Sequence, residues 1–143
     1  MITVERTIIV ERPAGEVLTY LADFGNTPAW DPGTESCTRL DSGPVAAGSR
    51  WLNVSRFRGR RSELNYRLET YEPGRLVFVG SNRTVTATDD ITVRPEGVRT
   101  VLVYRAQLRF HGLARLAAPV LRAEFERLAD AVAEQLPRAV REH

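Results

Sequence analysis

The sequence predicts an α+β domain: one curved antiparallel sheet of about seven strands wrapped around a long helix at the carboxyl end, with two short helices between the first two strands. Three observations predict it. From about Glu35 to Phe110 the pattern is strand-like, in runs of six to twelve residues between turn-forming clusters, with the two-residue period clearest in the last hairpin and weak around Trp51. After Gly112 the period lengthens to that of a helix and stays so almost to the end. Between the first strand and the rest lie two proline-led segments with short helical spacing.

Taken in order, Thr3 to Glu11 puts Val4, Arg6, Ile8 and Val10 on one face, a strand with one buried side. Pro13 ends it and suits a first helical turn, after which Val17, Leu18, Leu21 and Ala22 form a short amphipathic helix closed by Phe24 and Gly25. Asn26 to Pro32 reads as a second helical turn, with Asn26 or Thr27 as its cap and Pro28 near its first position. Turns are marked at Ser42-Gly-Pro44, around Gly59, at Glu72-Pro-Gly74, Gly80-Ser-Asn82 and Pro95-Glu-Gly97. The last hairpin, folded about Pro95–Gly97, is expected to set Ile91 near Leu102, Asp89 near Tyr104 and Ala87 near Ala106. Its apolar face is continuous except at Asp89. In the terminal segment Leu113, Leu116, Val120, Leu121, Phe125, Leu128, Val132, Leu136 and Val140 keep one helical face, on a rod of about 25 residues and roughly 38 Å. Pro119 should kink it or reset its start, and Pro137 should fray its end. A helix of that length after a single antiparallel sheet has one economical place, across the concave face.

Length and composition fit one domain, residues 1–143, able to bury a full core. The longest uncharged apolar runs fall far short of the roughly 20 residues a bilayer span needs. The first eleven residues carry Glu5, Arg6 and Glu11 and resemble no signal peptide, so the expected compartment is the cytoplasm. Cys37 is the single cysteine and can make no internal disulfide. All 20 basic residues are arginine, against 18 acidic ones, for a net charge of +2. That balance does not argue for nucleic acid, and a chain without lysine has no Schiff base, P-loop lysine or lysine general base. Nucleotide, zinc and nucleophilic-hydrolase signatures are absent, so neither a metal nor a cofactor is expected.

The pattern resembles the helix-grip fold of the SRPBCC superfamily, which holds START-like lipid carriers, birch-pollen-allergen-like proteins and polyketide cyclase/dehydrases. The likeness is carried by Val10-Glu-Arg-Pro13 leading to Val17 and Leu21-Ala-Asp-Phe24, and by Thr27-Pro-Ala-Trp-Asp-Pro32. Leu40-Asp-Ser-Gly-Pro44 to Gly48, Tyr104-Arg-Ala-Gln-Leu108 and the helix after Gly112 complete it. It spans nearly the whole chain and is nearest the polyketide cyclase/dehydrase branch. The resemblance implies a hydrophobic cavity between sheet and long helix, used to bind lipids, polyketides or other apolar small molecules, with chemistry in only some members.

Inward strand phases nominate the cavity wall: Leu64, Tyr66 and Leu68; Leu76 and Phe78; Val85, Ala87 and Ile91; Leu102, Ala106 and Leu108; with Leu121, Phe125 and Leu128 from the helix. Periodicity alone does not separate a lined pocket from a filled core. Trp30 borders the pocket entrance by resemblance, or anchors structure; Trp51 is a second candidate, and Asn53 and Ser55 share its phase. Asp89 and Tyr104 are the polar pair on the inner face. A carboxylate among apolar groups has a raised pKa and suits acid/base work, with the phenol orienting a carbonyl or enol; the same pair equally suits a hydrogen bond that orients a ligand.

Arg56-Phe-Arg-Gly-Arg-Arg61 is either an anion-docking patch, for a phosphate-bearing ligand or an acidic acyl carrier protein, or a solvated hairpin tip. His111 is either a proton shuttle or an exposed strand end, and Cys37 reads as a small buried hydrophobe. The functions in view are a small-molecule binder, a cyclase/dehydratase and a protein-docking module, as a monomer or homodimer.

Overall fold

The structure, a computed structural model, describes all residues 1–143. Strand β1 (Ile2–Val10) leads through α1 (Ala14–Ala22), a 3-10 turn (Phe24–Asn26) and α2 (Thr27–Trp30) to β2 (Thr34–Arg39). Five more strands follow: β3 (Arg50–Phe57), β4 (Arg60–Glu72), β5 (Arg75–Ser81), β6 (Val85–Glu96) and β7 (Arg99–Phe110). A 3-10 segment (Gly112–Ala117) then enters α3 (Ala118–Glu142). The seven strands form one antiparallel sheet in the order β1-β7-β6-β5-β4-β3-β2, the predicted helix-grip arrangement.

The inner face of the sheet divides in two. At one end the core is solid. Phe24 stacks on Phe78 with ring centres 4.3 Å apart and meets Tyr66, Trp51 and Trp30 at 4.6, 6.0 and 6.4 Å. Around this aromatic cluster close Val17 and Leu21 of α1, Leu68, Leu76, Ile91 and Leu102 of the sheet, and Val132, Leu136 and Val140 of α3. At the other end the first half of α3 packs along β1 and β7, with Ala129 against Ile2 and Val4 and with Leu121 and Phe125 beside them, and a space is left between this half of the helix and the inner face of the sheet. Arg6 ties that helix to edge strand β1: its Nε donates to Asp130 Oδ1 at 2.9 Å and its second guanidinium nitrogen to the Glu126 carbonyl at 3.1 Å.

Three local expectations are corrected. First, the β6–β7 register is displaced by two residues: Ile91 faces Tyr104, Asp89 faces Ala106 and Ala87 faces Leu108. The loop is Gly97-Val98, with Gly97 at φ 64°, and Pro95 lies within the strand opposite Thr100. A two-residue shift preserves every side chain's face, so Asp89 and Tyr104 both still point inward, as diagonal neighbours. Second, Leu113, Leu116 and Val120 are 86%, 78% and 68% exposed rather than packed. A 3-10 turn has 3.0 residues, so the stripe drifts out of phase with α3, which Pro119 restarts. Third, Pro137 does not fray the helix, which continues to Glu142. Leu136 and Val140 are buried on either side of it, and Arg12 donates to the Arg141 carbonyl at 2.7 Å.

The hairpin between β3 and β4 turns through Arg58 and Gly59, both at positive φ (53° and 80°). That geometry suits Asn-Gly, and an arginine there carries a backbone penalty of roughly 1 kcal/mol. Arg58→Asn should therefore raise the stability by up to about 1 kcal/mol, read as a higher urea midpoint at unchanged slope. A lower midpoint would mean that the Arg58 side chain contributes more to folding than its backbone costs.

Candidate functional site

The divided interior leaves a cavity of about 680 Å³ between the sheet and the first half of α3. Its volume is in the range of small-molecule pockets. The lining follows strand phase. Leu64 and Tyr66 come from β4, Val85, Ala87 and Asp89 from β6, and Tyr104, Ala106, Leu108 and Phe110 from β7. Leu121, Phe125, Leu128, Ala129 and Val132 of α3 roof it, and Val4, Asp31, Gly33 and Ser55 add to its sides.

Of the sequence candidates, Leu64, Tyr66, Val85, Ala87, Asp89, Tyr104, Ala106, Leu108, Leu121, Phe125 and Leu128 thus meet around one space. Trp30, Trp51, Leu68, Phe78, Ile91 and Leu102 do not, and the expectation that they line it is corrected. They belong to the solid end, where α1, the Phe24 turn and the second half of α3 press onto the sheet and leave no room. Leu76 is buried there too.

The cavity floor lies where the two halves meet, and it is polar. Tyr104 Oη donates to Asp89 Oδ1 at 2.9 Å, and both residues are buried. Burial raises the Asp89 carboxyl to about 7, opposed by the hydrogen bond from Tyr104 and reinforced by the nearby charge of Asp31. Burial likewise pushes the Tyr66 and Tyr104 phenols well above their ordinary value, with the Asp89 charge adding to it. Tyr66 is positioned by a glycine: a Cβ on Gly80 would lie 2.5 Å from the Tyr66 ring, so only a bare backbone lets the ring lie across β5.

Asp31, which the sequence reading passed over, is the second carboxylate of the lining. It accepts from the Gly33 amide at 2.9 Å and the Thr34 hydroxyl at 3.1 Å, and burial raises its pKa against those bonds. The visible signal was the Trp30-Asp31-Pro32-Gly33 turn, where an aspartate bonding two residues ahead is expected. A phenol–carboxylic acid pair beside further phenol and carboxylate groups can donate or accept hydrogen bonds to an oxygen-bearing guest. A carboxyl titrating near neutrality can also exchange a proton with it.

The mouth lies at the strand ends. The Arg56–Arg61 hairpin borders it, and Phe57 stacks on Phe125 of α3 at 4.6 Å with planes 5° apart. Ser55 of the lining donates to Asn53 Oδ1 at 2.6 Å, while Asn53 itself is buried behind it. His111 sits outside the lining with Nε2 2.8 Å from Thr86 Oγ1. Burial pushes the Cys37 thiol up to about 11, away from the reactive range.

No helix is long and apolar enough to cross a membrane. Among solved structures the chain is similar to a START superfamily protein from Mycobacterium smegmatis (TM-score 0.81, 14% identity, 98% of this chain and 97% of that one). It is also similar to the Zhui aromatase/cyclase from a Streptomyces species (TM-score 0.80, 19% identity, 97% and 93%). A third likeness is to the di-domain aromatase/cyclase BexL (TM-score 0.65, 21% identity, 98% of this chain and 45% of that one). At these identities the likeness is one of fold. No curated protein matches the sequence. The model of the family described as polyketide cyclase / dehydrase and lipid transport matches residues 1–141, and the chain belongs to that family.

Proposed function

We propose that the protein binds a hydrophobic or amphipathic small molecule, lipid- or polyketide-like, without covalent chemistry, in the cavity between sheet and C-terminal helix. One observation carries the proposal: about 680 Å³ of mostly apolar lining ending in a compact polar floor. The driving force is burial of guest surface, on the order of 25 cal/mol per Å² before ordering costs. Asp89, Tyr104 and Tyr66 fix orientation. The cavity is tested by filling it. Ala106→Trp places an indole among its walls and should weaken binding of the neutral fluorophore N-phenyl-1-naphthylamine by about tenfold or more, with a folded circular dichroism spectrum retained. Undiminished fluorophore binding by that variant overturns the assignment.

A second reading is favoured by the raised carboxyl of Asp89 held on Tyr104. It is cyclase/dehydratase chemistry on a poly-β-keto chain, with Asp89 moving the proton for aldol closure or water loss and Tyr104 holding the carbonyl oxygen. Asp89→Asn and Tyr104→Phe then abolish turnover while leaving guest binding nearly intact. Partners follow from the reading: a small-molecule guest, and for the enzyme an acyl carrier protein delivering it.

A further inference from the structure

The cavity is polarised along its length. Its floor carries Asp89, Tyr104 and Tyr66, and its far end carries Arg56, Arg58, Arg60 and Arg61. The two ends are joined by apolar side chains: Leu64 of β4, Val85 and Ala87 of β6, and Ala106 and Leu108 of β7. On β4 the path from Arg60 to Tyr66 covers six residues of strand, roughly 20 Å.

The arginine end is under-neutralised. Arg56 and Arg61 approach the same carboxylate, Glu35, at 3.4 and 3.5 Å. Arg58 and Arg60 form no ion pair. Arg56 and Arg61 are thus paired with Glu35, whereas Arg58 and Arg60 stand unpaired beside an apolar mouth, Arg60 in the strand phase of Leu64 and Tyr66 and Arg58 at a left-handed backbone position that suits Asn or Gly better. Arg58 and Arg60 line the cavity with planar donors that no acidic group of the chain occupies, and such donors match the oxygens of a carboxylate or phosphate.

We infer that the guest is a single-tailed amphipathic anion, its carboxylate or phosphate held at the mouth by Arg58 and Arg60 and its apolar body running inward to the Asp89–Tyr104 floor. This rests on the binding reading above and adds the guest's chemical class and orientation. A guest with its anion at the inner end would meet acidic groups instead of guanidinium groups, Asp89 on the floor and Asp31 on the side wall, which favours insertion with the anion at the arginine end.

The test compares three fluorescent probes of one tail: dansyl-aminoundecanoic acid, its methyl ester, and the corresponding dansyl-aminoundecyl phosphate. The acid and the phosphate should each bind about tenfold or more tightly than the ester at low salt, and the preference should shrink as salt rises from about 0.05 to about 0.5 M. Which of the two binds more tightly assigns the head group. In the double variant Arg58→Asn/Arg60→Ala the acid-to-ester ratio should fall to near one. Equal binding of acid and ester by the unaltered protein, or a ratio that survives the double variant, overturns the anion subsite and leaves the cavity reading standing. Failure of all three probes to bind overturns the cavity reading as well. Arg56→Ala/Arg61→Ala is the second variant: with Glu35 released it should lower the ratio by less than Arg58→Asn/Arg60→Ala does, and a larger loss there overturns the assignment to Arg58 and Arg60.

Discussion

Replacing Asp89 with asparagine should stabilise the protein at pH 8 by up to about 4 kcal/mol and change little near pH 4. The wild-type carboxyl is held at about 7 by burial, against about 3.9 in an unfolded chain. Below pH 4 both states carry the proton and the group contributes no difference. Between about pH 4 and 7 the unfolded chain has lost its proton and the folded one keeps it, so stability falls as pH rises through that window. Above 7 the loss is complete, and a buried carboxylate remains with one hydrogen bond, from Tyr104. The gap of about three pH units, at about 1.4 kcal/mol each, sets the ceiling.

Asparagine has the same shape, still accepts from Tyr104 and never ionises, so it escapes the penalty. Asp41 works in the opposite sense, because its hydrogen bond from Arg39 holds its carboxyl low and stabilises the folded state as pH rises. That contribution is common to both proteins and cancels in their difference. Urea titrations of wild type and variant at pH 4 and pH 8 supply the four midpoints. A difference independent of pH removes the buried neutral carboxyl, and with it the proton-transfer reading.

The strand phases, the change of period at Gly112 and the inward placement of Asp89 and Tyr104 were legible in the sequence, because burial of one face imposes a two- or 3.6-residue period that nothing else produces. Register was less so. Pro95-Glu96-Gly97 has turn composition, yet the chain reverses one residue later at Gly97-Val98, and a shift of two residues leaves the facial pattern untouched. The boundary between cavity and solid core was not legible at all. Leu64 and Leu68 sit on the same strand and the same face, but Leu64 borders open space while Leu68 is wholly enclosed. What decides between them is which element covers each position, a tertiary fact with no local signature. Asp31 was hidden for a related reason: it belongs to a turn whose own hydrogen bonds account for it, and only the fold carries that turn to the cavity side.

Phe24→Ala should be among the most damaging single changes, at about 3–5 kcal/mol, because this ring is the wedge that makes one half of the interior solid. It is 2% exposed and touches Phe78, Tyr66, Trp51 and Trp30, so its removal strips contacts from four aromatic neighbours at once. Collapse into the gap is restricted. Phe78 and Trp51 are fixed on hydrogen-bonded strands, and the turn that carries Phe24 is held by the Asp23 carboxylate accepting from the Gly25 amide at 2.9 Å. A melting temperature lower by about 10 °C or more is the expected reading for a chain of this length. The same change takes the backing from Tyr66, one wall of the polar floor, so the void should open toward the cavity and admit N-phenyl-1-naphthylamine deeper, with a further blue shift of its emission. A loss under about 1 kcal/mol would mean that the aromatic cluster repacks freely. In that case the division between a rigid end and a receptive end, on which the site depends, would have to be abandoned.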